Sequence, residues 1–323
     1  MLKEHAAPRT LVEAIRFFAD PDTAFGFVVT LRWPSGVSCP RCGGADPSFV
    51  KTRRIWKCKA CRQQFSIKVG TIFEDSPLGL DKWLPALWML ANAKNGISSY
   101  ELGRALGVTQ KTAWFMLGRI RHAMAAKSFE KWDGEVEADE SFIGGKRGNM
   151  HKEKQDRTPA GQPGMAKVFG MLRRSKQGRA SKVRLAHVGT IKRHELAKHI
   201  DASVEAGATL YTDANAAYSS LSKKVWLEKY RHMVIDHAIA YAKGRIHTNG
   251  LENFWSLLKR SLKGTYVSVD PFHLFRYLDE QAFRFNERTE NDLTRFVTVL
   301  RETIGRRLTY RGLIGAAYTL STT

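Results

Sequence analysis

Four cysteines in two close pairs constrain this chain more than any other feature of its sequence. Cys39-Pro-Arg-Cys42 and Cys58-Lys-Ala-Cys61 are separated by 15 residues, which gives the pattern C-x2-C-x15-C-x2-C. Two pairs at this spacing can place four thiolates around one tetrahedral zinc ion, with each pair on a tight turn. Residues 54–57 and 64–73 beside the second pair have the composition of short strands. The pattern therefore predicts a zinc ribbon held by Cys39, Cys42, Cys58 and Cys61.

Two other chemistries use paired cysteines. Two disulfides would suit an exported protein, but the first five residues show neither the apolar core nor the cleavage site of a signal peptide. A redox-active pair needs one C-x-x-C copy and a thioredoxin-like context, which this sequence does not show. We therefore expect bound zinc and a cytoplasmic protein.

The charge balance indicates the class of partner. The 323 residues include 52 Lys and Arg against 31 Asp and Glu, which gives a net charge of +21. This excess favours a polyanion, most simply nucleic acid. An anionic membrane surface is the alternative, and no long basic amphipathic segment supports it. Hydrophobic residues make up 43% of the chain, enough for a sizeable core, while its apolar stretches are shorter than the ~18 residues of a membrane span.

Residues 75–130 have the periodicity of three helices, and the last two have helix-turn-helix spacing. Ser98-Ser-Tyr-Glu101 is a capping box that begins the second helix, and Gly107-Val108 forms a short turn before the third. In this layout the first residues of the last helix face the major groove, and here these are Thr109, Gln110, Lys111 and Thr112. An ordinary helical hairpin has the same pattern, but the basic composition favours DNA binding.

The following segment combines strands with a helix, which predicts an α/β domain. Strand patterns cover residues 135–143, 167–172, 182–188 and 208–212, and a helix pattern covers 192–204. Between the first two strands, residues 144–167 carry six Lys or Arg against two acids. A solvated loop and an arm that contacts phosphates, with Lys146 and Arg147 at its start, are equally good interpretations.

Three acids of this basic domain occupy positions from which they can converge. Asp139 lies in the middle of a strand, Asp213 ends a strand, and Glu252 opens a helix with an apolar stripe. Such carboxylates can hold two Mg²⁺ ions, which activate a water or a 3′-hydroxyl and stabilise the leaving oxygen of a phosphodiester. Glu140 competes with Asp139, but strand alternation places the two on opposite faces.

Each acid also has a purely structural interpretation. Asp213 can serve as a turn residue, and Asn249 followed by Glu252 three positions later is a variant of the capping box. His237 and His247 suit capping or phosphate contacts better than a second zinc site. Spacing alone therefore leaves the metal triad open.

Residues further along the Glu252 helix extend the candidate site. Lys259 lies two turns after Glu252 on the same helical face, so Lys259, with Arg260 beside it, is a candidate DNA contact. Trp255 fits the apolar core better than a platform for base stacking.

The sequence resembles bacterial insertion-sequence transposases of the ISXO type from about Arg32 to Arg288. The resemblance rests on seven blocks in the same order: residues 32–42, 65–73, 136–146, 211–218, 247–260, 264–266 and 273–288. Residues 247–260, His-Thr-Asn-Gly-Leu-Glu-Asn-Phe-Trp-Ser-Leu-Leu-Lys-Arg, are the most specific block. The resemblance assigns catalysis to Asp139, Asp213 and Glu252, which match the three acids of the family's Asp-Asp-Glu triad.

The resemblance implies a multidomain α/β protein. The expected parts are an N-terminal helical segment and zinc ribbon over residues 1–74, a helix-turn-helix DNA-binding segment over 75–130, a ribonuclease H-like mixed-sheet catalytic domain over 131–290 and a C-terminal tail over 291–323. The expected activity is that of an Mg²⁺-dependent DNA transposase. Water attacks a phosphodiester at the element's end, and the freed 3′-hydroxyl then attacks target DNA.

The expected cofactors are structural Zn²⁺ and two catalytic Mg²⁺ ions, for which Mn²⁺ can substitute. The expected partner is double-stranded DNA, as terminal inverted repeats and as target, with a homodimer or higher oligomer in the synaptic complex and a bacterial, nucleoid-associated location. Two rivals remain: a DNA-binding regulator without chemistry, and a nuclease that cuts but never joins.

Overall fold

The computed structural model describes residues 7–125, 130–144, 165–176, 178–214, 218, 229–235 and 246–315. The chain divides into two units, Met1–Ala125 with Glu290–Thr323, and Ala126–Thr289. Within the described ranges, no helix combines the length and apolar character needed to cross a membrane. Most of the basic segment 144–167 lies outside the described residues, and so do Lys146, Arg147 and His237.

Two helices open the first unit and meet at one acidic residue. Helix α1 (Leu11–Ala19) begins at a capping box of Thr10 and Glu13. Asp20 ends α1 and caps α2 (Pro21–Arg32), where its carboxylate accepts the Thr23 N–H at 2.7 Å. A proline at the first position of α2 fits its fixed φ angle to the helix start.

The cysteine-bearing region is a small antiparallel sheet with the order β1-β2-β3. Its strands are β1 (Ser48–Val50), β2 (Ile55–Lys57) and β3 (Gln64–Ser66), and a 3-10 turn, Lys51–Arg53, joins the first two. The Trp56 ring stacks against Phe65 and against Phe25 of α2, with centroids 5.7 and 5.4 Å apart. The strand predicted over 64–73 ends at Ser66, because backbone turns such as Val69 N–H to Ser66 C=O replace the ladder.

The three helices predicted after the ribbon are present: α3 (Leu80–Asn92), α4 (Ser99–Leu106) and α5 (Gln110–Met124). Helix α4 begins at the predicted capping box of Ser98 and Glu101. It ends at Gly107, whose φ of 63° is a left-handed conformation that glycine adopts without strain. Thr109 then caps α5 by accepting the Thr112 N–H.

The second unit contains a five-stranded mixed sheet with the order β6-β5-β4-β7-β8. Strands β4, β5 and β6 are antiparallel neighbours, while β7 and β8 run parallel to β4. The strands are β4 (Glu135–Ile143), β5 (Ala166–Arg173), β6 (Lys182–Val188), β7 (Thr209–Asp213) and β8 (Arg231–Ile235). The helices are α6 (Arg193–Ser203), α7 (Asn249–Ser261) and α8 (Leu274–Asn286). A π-helical turn, Leu262–Tyr266, continues α7, and a 3-10 turn, Pro271–His273, precedes α8.

Each face of this sheet has its own apolar core, and β4 contributes to both. Val136 and Ala138 pack on the α6 side with Leu196 and Ile200 of that helix. The core on the other side joins β5 and β6 to α7 and α8, with members such as Leu251. This alternation, which the sequence predicted, sends successive β4 side chains to opposite sides. The predicted multidomain α/β fold with a mixed sheet is confirmed.

The segment expected to be a C-terminal tail instead folds into the first unit. Helix α9 (Asp292–Glu302) buries Phe296, Val299 and Leu300 and packs on α3 and α5, and a short helix α10 (Tyr310–Leu313) follows. Apolar residues spaced three and four apart form one helical face, so burial of that face excludes a free tail over the described residues.

Candidate active site and zinc centre

The four cysteine thiols converge on one point. Their Sγ atoms all lie within 4.8 Å of one another, with Cys42 and Cys58 3.5 Å apart and Cys39 and Cys61 3.8 Å apart. These distances are too long for disulfide bonds, and all four cysteines are free. Four Zn–S bonds of about 2.3 Å in a tetrahedron set sulfur–sulfur edges of roughly 3.8 Å, so the thiols fit zinc.

Two backbone turns bring the thiols together. The Gly43 N–H donates to the Cys39 carbonyl and the Cys58 N–H donates to the Gln63 carbonyl, each at 2.9 Å. The Cys61 N–H points at the sulfur of Cys58 at 3.5 Å and lowers the pKa of that thiol to about 7. A lowered pKa favours the thiolate, which is the form that binds metal.

The three predicted acids lie on the α7 side of the mixed sheet. Parallel strands β4 and β7 pair as far as Glu137 and Tyr211, and Asp139 and Asp213 each stand two residues beyond that pair. Helix α7 carries Glu252 in its first turn. The structure therefore brings Asp139, Asp213 and Glu252 into one neighbourhood.

Asp139 is the partly buried centre of this group. Burial is the largest cause that raises the pKa of Asp139 to about 6, and the charges of Asp213 and Glu252 act in the same direction. Hydrogen bonds from the Trp255 indole and the Glu140 N–H oppose this rise. A carboxylate that is desolvated beside two other acids favours an added cation, which would stabilise all three charges.

The acids form a looser group than the cysteines. Within the described ranges, the four cysteines are the only set of three or more His, Cys, Asp or Glu side chains placed to hold a metal ion. Like charges repel, which favours separation of the three carboxylates. Their oxygen chemistry suits a hard cation such as Mg²⁺, whereas the thiols suit zinc.

Trp255 positions Asp139, a role that the apolar pattern of its helix did not predict. The side chain is 5% exposed, as expected for a core residue, and its Nε1–H donates to Asp139 Oδ2 at 2.9 Å. Gly170 lies opposite Asp139 on β5, and a Cβ there would come within 2.6 Å of two Trp255 ring carbons. The sequence signal for this role is the spacing of Glu252 and Trp255, because residues three apart on a helix lie on the same side of it.

The structure contradicts one of the structural alternatives for the acids, the capping box at Glu252. The N-cap of α7 is Thr248, with no side-chain capping bond, and Asn249 is already the first helical residue. The capping-box interpretation of Glu252 is therefore wrong. Asp213 pairs with Ile235 of β8 and is the last residue of its strand, as predicted. Glu140 points to the other side of the sheet, as predicted.

The predicted DNA contacts that the structure describes are mostly exposed. Thr109, Gln110 and Lys111 stand at the exposed start of α5, and Thr112 is half-buried. Lys259 and Arg260 are exposed on α7.

His247 joins an ion-pair cluster rather than a metal site. Its Nδ1 lies 3.1 Å from Arg174 Nη2 and 3.6 Å from Glu137 Oε1. The less favoured alternative, in which His247 binds a second zinc ion, therefore has no support from this geometry.

We expect one zinc ion per chain. Cys39→Ser should abolish zinc binding and lower the melting temperature, because structural zinc contributes folding free energy to a small ribbon. Asp46→Asn is the matched control, since Asp46 is exposed and pairs with Lys59 on the same ribbon. Metal analysis by mass spectrometry measures both variants. A folded, fully reduced wild-type protein without zinc would contradict the assignment.

Without Mg²⁺, Asp139 should make the fold less stable as the pH rises. The folded-state pKa is raised from 3.8 to about 6, so the stabilisation is complete below pH 4 and is lost as the pH passes 6. Asp139→Asn should raise the melting temperature at pH 8, by the equivalent of at most about 3 kcal/mol. Glu205→Gln, at an exposed acid, is the control, and thermal melts at pH 4.5 and 8 are the measurement. Equal pH dependence in wild type and Asp139→Asn would exclude Asp139 as the cause.

Comparisons with known proteins agree with this arrangement. Residues 131–286 match the ISXO2-like transposase domain, and residues 20–64 match the transposase zinc-ribbon domain. An uncharacterized protein in transposable element ISH50 of Halobacterium salinarum is 27% identical over 268 residues, which cover 77% of this chain and 85% of that protein. The two matched domains occur in their expected order and together span more than half of the chain, so the predicted resemblance to insertion-sequence transposases of the ISXO type is confirmed.

Proposed function

We propose that this protein is an Asp-Asp-Glu transposase that cuts DNA at the ends of an insertion sequence and joins the freed 3′-ends to target DNA. The observation that carries the proposal is the group of three carboxylates formed by Asp139, Asp213 and Glu252. Burial raises the pKa of Asp139, and the charges of the other two acids raise it further. The match of this unit to a transposase domain supports the same reaction class.

Asp139, Asp213 and Glu252 are the residues that would hold Mg²⁺. Carboxylate oxygens are the protein ligands that Mg²⁺ prefers, and three of them on one side of the sheet give such an ion several ligands. Two bound ions would supply an activated water or 3′-hydroxyl and charge stabilisation at the leaving oxygen. Trp255 orients one Asp139 oxygen by its hydrogen bond, and the other oxygen accepts the Glu140 N–H at 2.8 Å.

The DNA would contact basic residues near the acids. Lys259 and Arg260 follow Glu252 by seven and eight residues on the exposed side of α7, which is roughly 10 Å along a helix. They would bind phosphates beside the one that reacts. The net charge of +21 would supply further phosphate contacts and a strong dependence of binding on salt.

A second DNA contact would come from the start of α5. Gln110 and Lys111 are exposed there, although Gln110 Nε2 donates to Ser99 Oγ at 2.8 Å and Lys111 Nζ lies 5.6 Å from the Tyr310 ring centre. In a helix-turn-helix these positions reach base edges. We expect two copies or more to assemble when both element ends are bound, at the nucleoid, because the substrate is DNA.

Asp139→Asn, Asp213→Asn and Glu252→Gln should each abolish cleavage and joining while DNA binding persists. Each change removes a negative charge that holds Mg²⁺. Glu252→Gln is the most informative variant, because the Gln oxygen can still accept the hydrogen bond that Thr248 Oγ1 donates to Glu252 at 3.5 Å, so α7 should stay folded. Glu140→Gln is the matched control, since this neighbour of Asp139 bonds Tyr218 on the opposite side of the sheet.

The assay is strand cleavage and strand transfer on a labelled element end, with Mg²⁺ and with Mn²⁺. Wild-type yield from Glu252→Gln would remove this residue from the active site. Cleavage without joining of a pre-cut 3′-end would indicate a nuclease, and binding without either reaction would indicate a regulator.

Lys111→Ala should weaken binding to the element's ends more than binding to unrelated DNA, because Lys111 stands at the exposed start of α5. Lys131→Ala, an exposed lysine outside α5, is the control. Affinities measured at several salt concentrations separate loss of end recognition from loss of a phosphate contact. Loss of one phosphate contact reduces the slope of log affinity against log salt by about 1 on any DNA. An unchanged preference for the ends would remove α5 from end recognition.

A further inference from the structure

A second acid lies beside Asp139 on the same side of β4. Glu137 precedes Asp139 by two residues and is 1% exposed, which makes it far more buried than the proposed metal ligands. Burial of a charged carboxylate is unfavourable unless it is paired and hydrogen-bonded. Its partners therefore indicate what it does.

One oxygen of Glu137 binds the start of α7. Glu137 Oε2 accepts the Leu251 N–H at 2.9 Å, and Leu251 is the third residue of that helix. The first N–H groups of a helix have no acceptor within the helix. The side chain of Thr248, the N-cap, makes no capping bond to these N–H groups and instead donates to Glu252 Oε1 at 3.5 Å. Glu137 thus acts as a cap from a distant strand, and its charge also suits the positive end of the helix dipole.

The other oxygen of Glu137 binds Arg174, which also binds the chain just before α7. Arg174 Nε donates to Glu137 Oε1 at 2.8 Å, and Arg174 Nη2 donates to the His247 carbonyl. The Arg174 guanidinium lies 3.9 Å from the ring centre of Tyr211, the β7 neighbour of Glu137. Two strands, the Arg174 side chain and the start of α7 therefore meet at this one carboxylate.

A glycine allows the helix to approach so closely. A Cβ at Gly250 would lie 2.8 Å from Glu137 Oε2 and 3.1 Å from Oε1. The carboxylate has little freedom to move away, because both of its oxygens are bonded.

We propose that Glu137 is a positioning residue that docks the first turn of α7 on β4 and thereby sets where Glu252 and Trp255 stand relative to Asp139. This inference rests on the proposed function, in which those residues form the active site. Glu137 contacts no reacting atom in this account and acts through the backbone of α7.

Glu137→Gln tests the proposal with almost no change in shape. An amide has one oxygen and one NH₂ group, so it can accept from Leu251 or from Arg174 but must present hydrogens to the other donor. Glu135→Gln is the matched control: Glu135 pairs with Arg174 at 3.6 Å from the same strand, whereas the Leu251 N–H of α7 donates to Glu137.

Hydrogen exchange of the amides of residues 249–253 measures directly how firmly α7 is docked. Mn²⁺ binding measures whether Asp139, Asp213 and Glu252 are correctly placed, and it requires no turnover. We expect faster exchange, weaker Mn²⁺ binding and cleavage slowed on the order of tenfold to a hundredfold in Glu137→Gln, with DNA affinity unchanged. Glu135→Gln should match the wild type. Unchanged exchange in Glu137→Gln would overturn the proposal, and so would a cleavage rate equal to that of the wild type.

Gly250→Ala is the second variant, for the case in which Glu137→Gln does not fold. Alanine has a higher helix propensity than glycine, so propensity alone predicts that Gly250→Ala stabilises α7. The added Cβ would instead push α7 away from Glu137, and we expect the same losses of Mn²⁺ binding and cleavage. Full retention of both would overturn the proposal. Absence of Mg²⁺-dependent cleavage in the wild type would refute the proposed function alone, since exchange and Mn²⁺ binding still measure the docking.

Discussion

The docking of α7 on the central strand β4 is the contact on which the candidate active site depends. Asp139 and Asp213 are placed by adjacent parallel strands, but Glu252 is placed only by the way its helix meets the sheet. Two hydrogen bonds hold α7 in place on β4: the Leu251 N–H donates to Glu137, and the Trp255 indole donates to Asp139. Close approach at both points requires glycine, Gly250 on the helix and Gly170 on β5, because a Cβ at either would collide with the partner.

The candidate active site is acidic, whereas the chain as a whole is strongly basic. In a protein of net charge +21, the three acids lie on one side of the mixed sheet, and in our proposal they hold cations within a surface suited to DNA. Burial of Asp139 beside Asp213 and Glu252 disfavours its charged form, so we expect the charged site to destabilise the fold and a bound cation to relieve this. Strand alternation sends Glu140 to the opposite side of the sheet, where it bonds Tyr218 instead of adding a fourth charge.

The sequence predicted the features that depend on neighbours along the chain. The cysteine pairs, the capping box at Ser98 and the alternation along β4 each follow from a local rule. The roles of Glu137 and Trp255 could not be predicted in this way, because Glu137 and Leu251, like Asp139 and Trp255, are more than a hundred residues apart in the chain. The capping assignment at Asn249 was wrong for the same reason, since a distant strand provides the acceptor that a local cap would provide. Helix α9 was missed as part of the first unit, because a local apolar face does not show which helices cover it.

Anomalous diffraction from crystals grown with Mn²⁺ and a DNA end tests the central claim most directly. Zinc at the four cysteines provides an internal reference in the same data. The account predicts Mn²⁺ peaks bounded by the carboxylates of Asp139, Asp213 and Glu252, with the Trp255–Asp139 hydrogen bond intact. A zinc peak at the cysteines without Mn²⁺ at these acids, at saturating Mn²⁺, would contradict it.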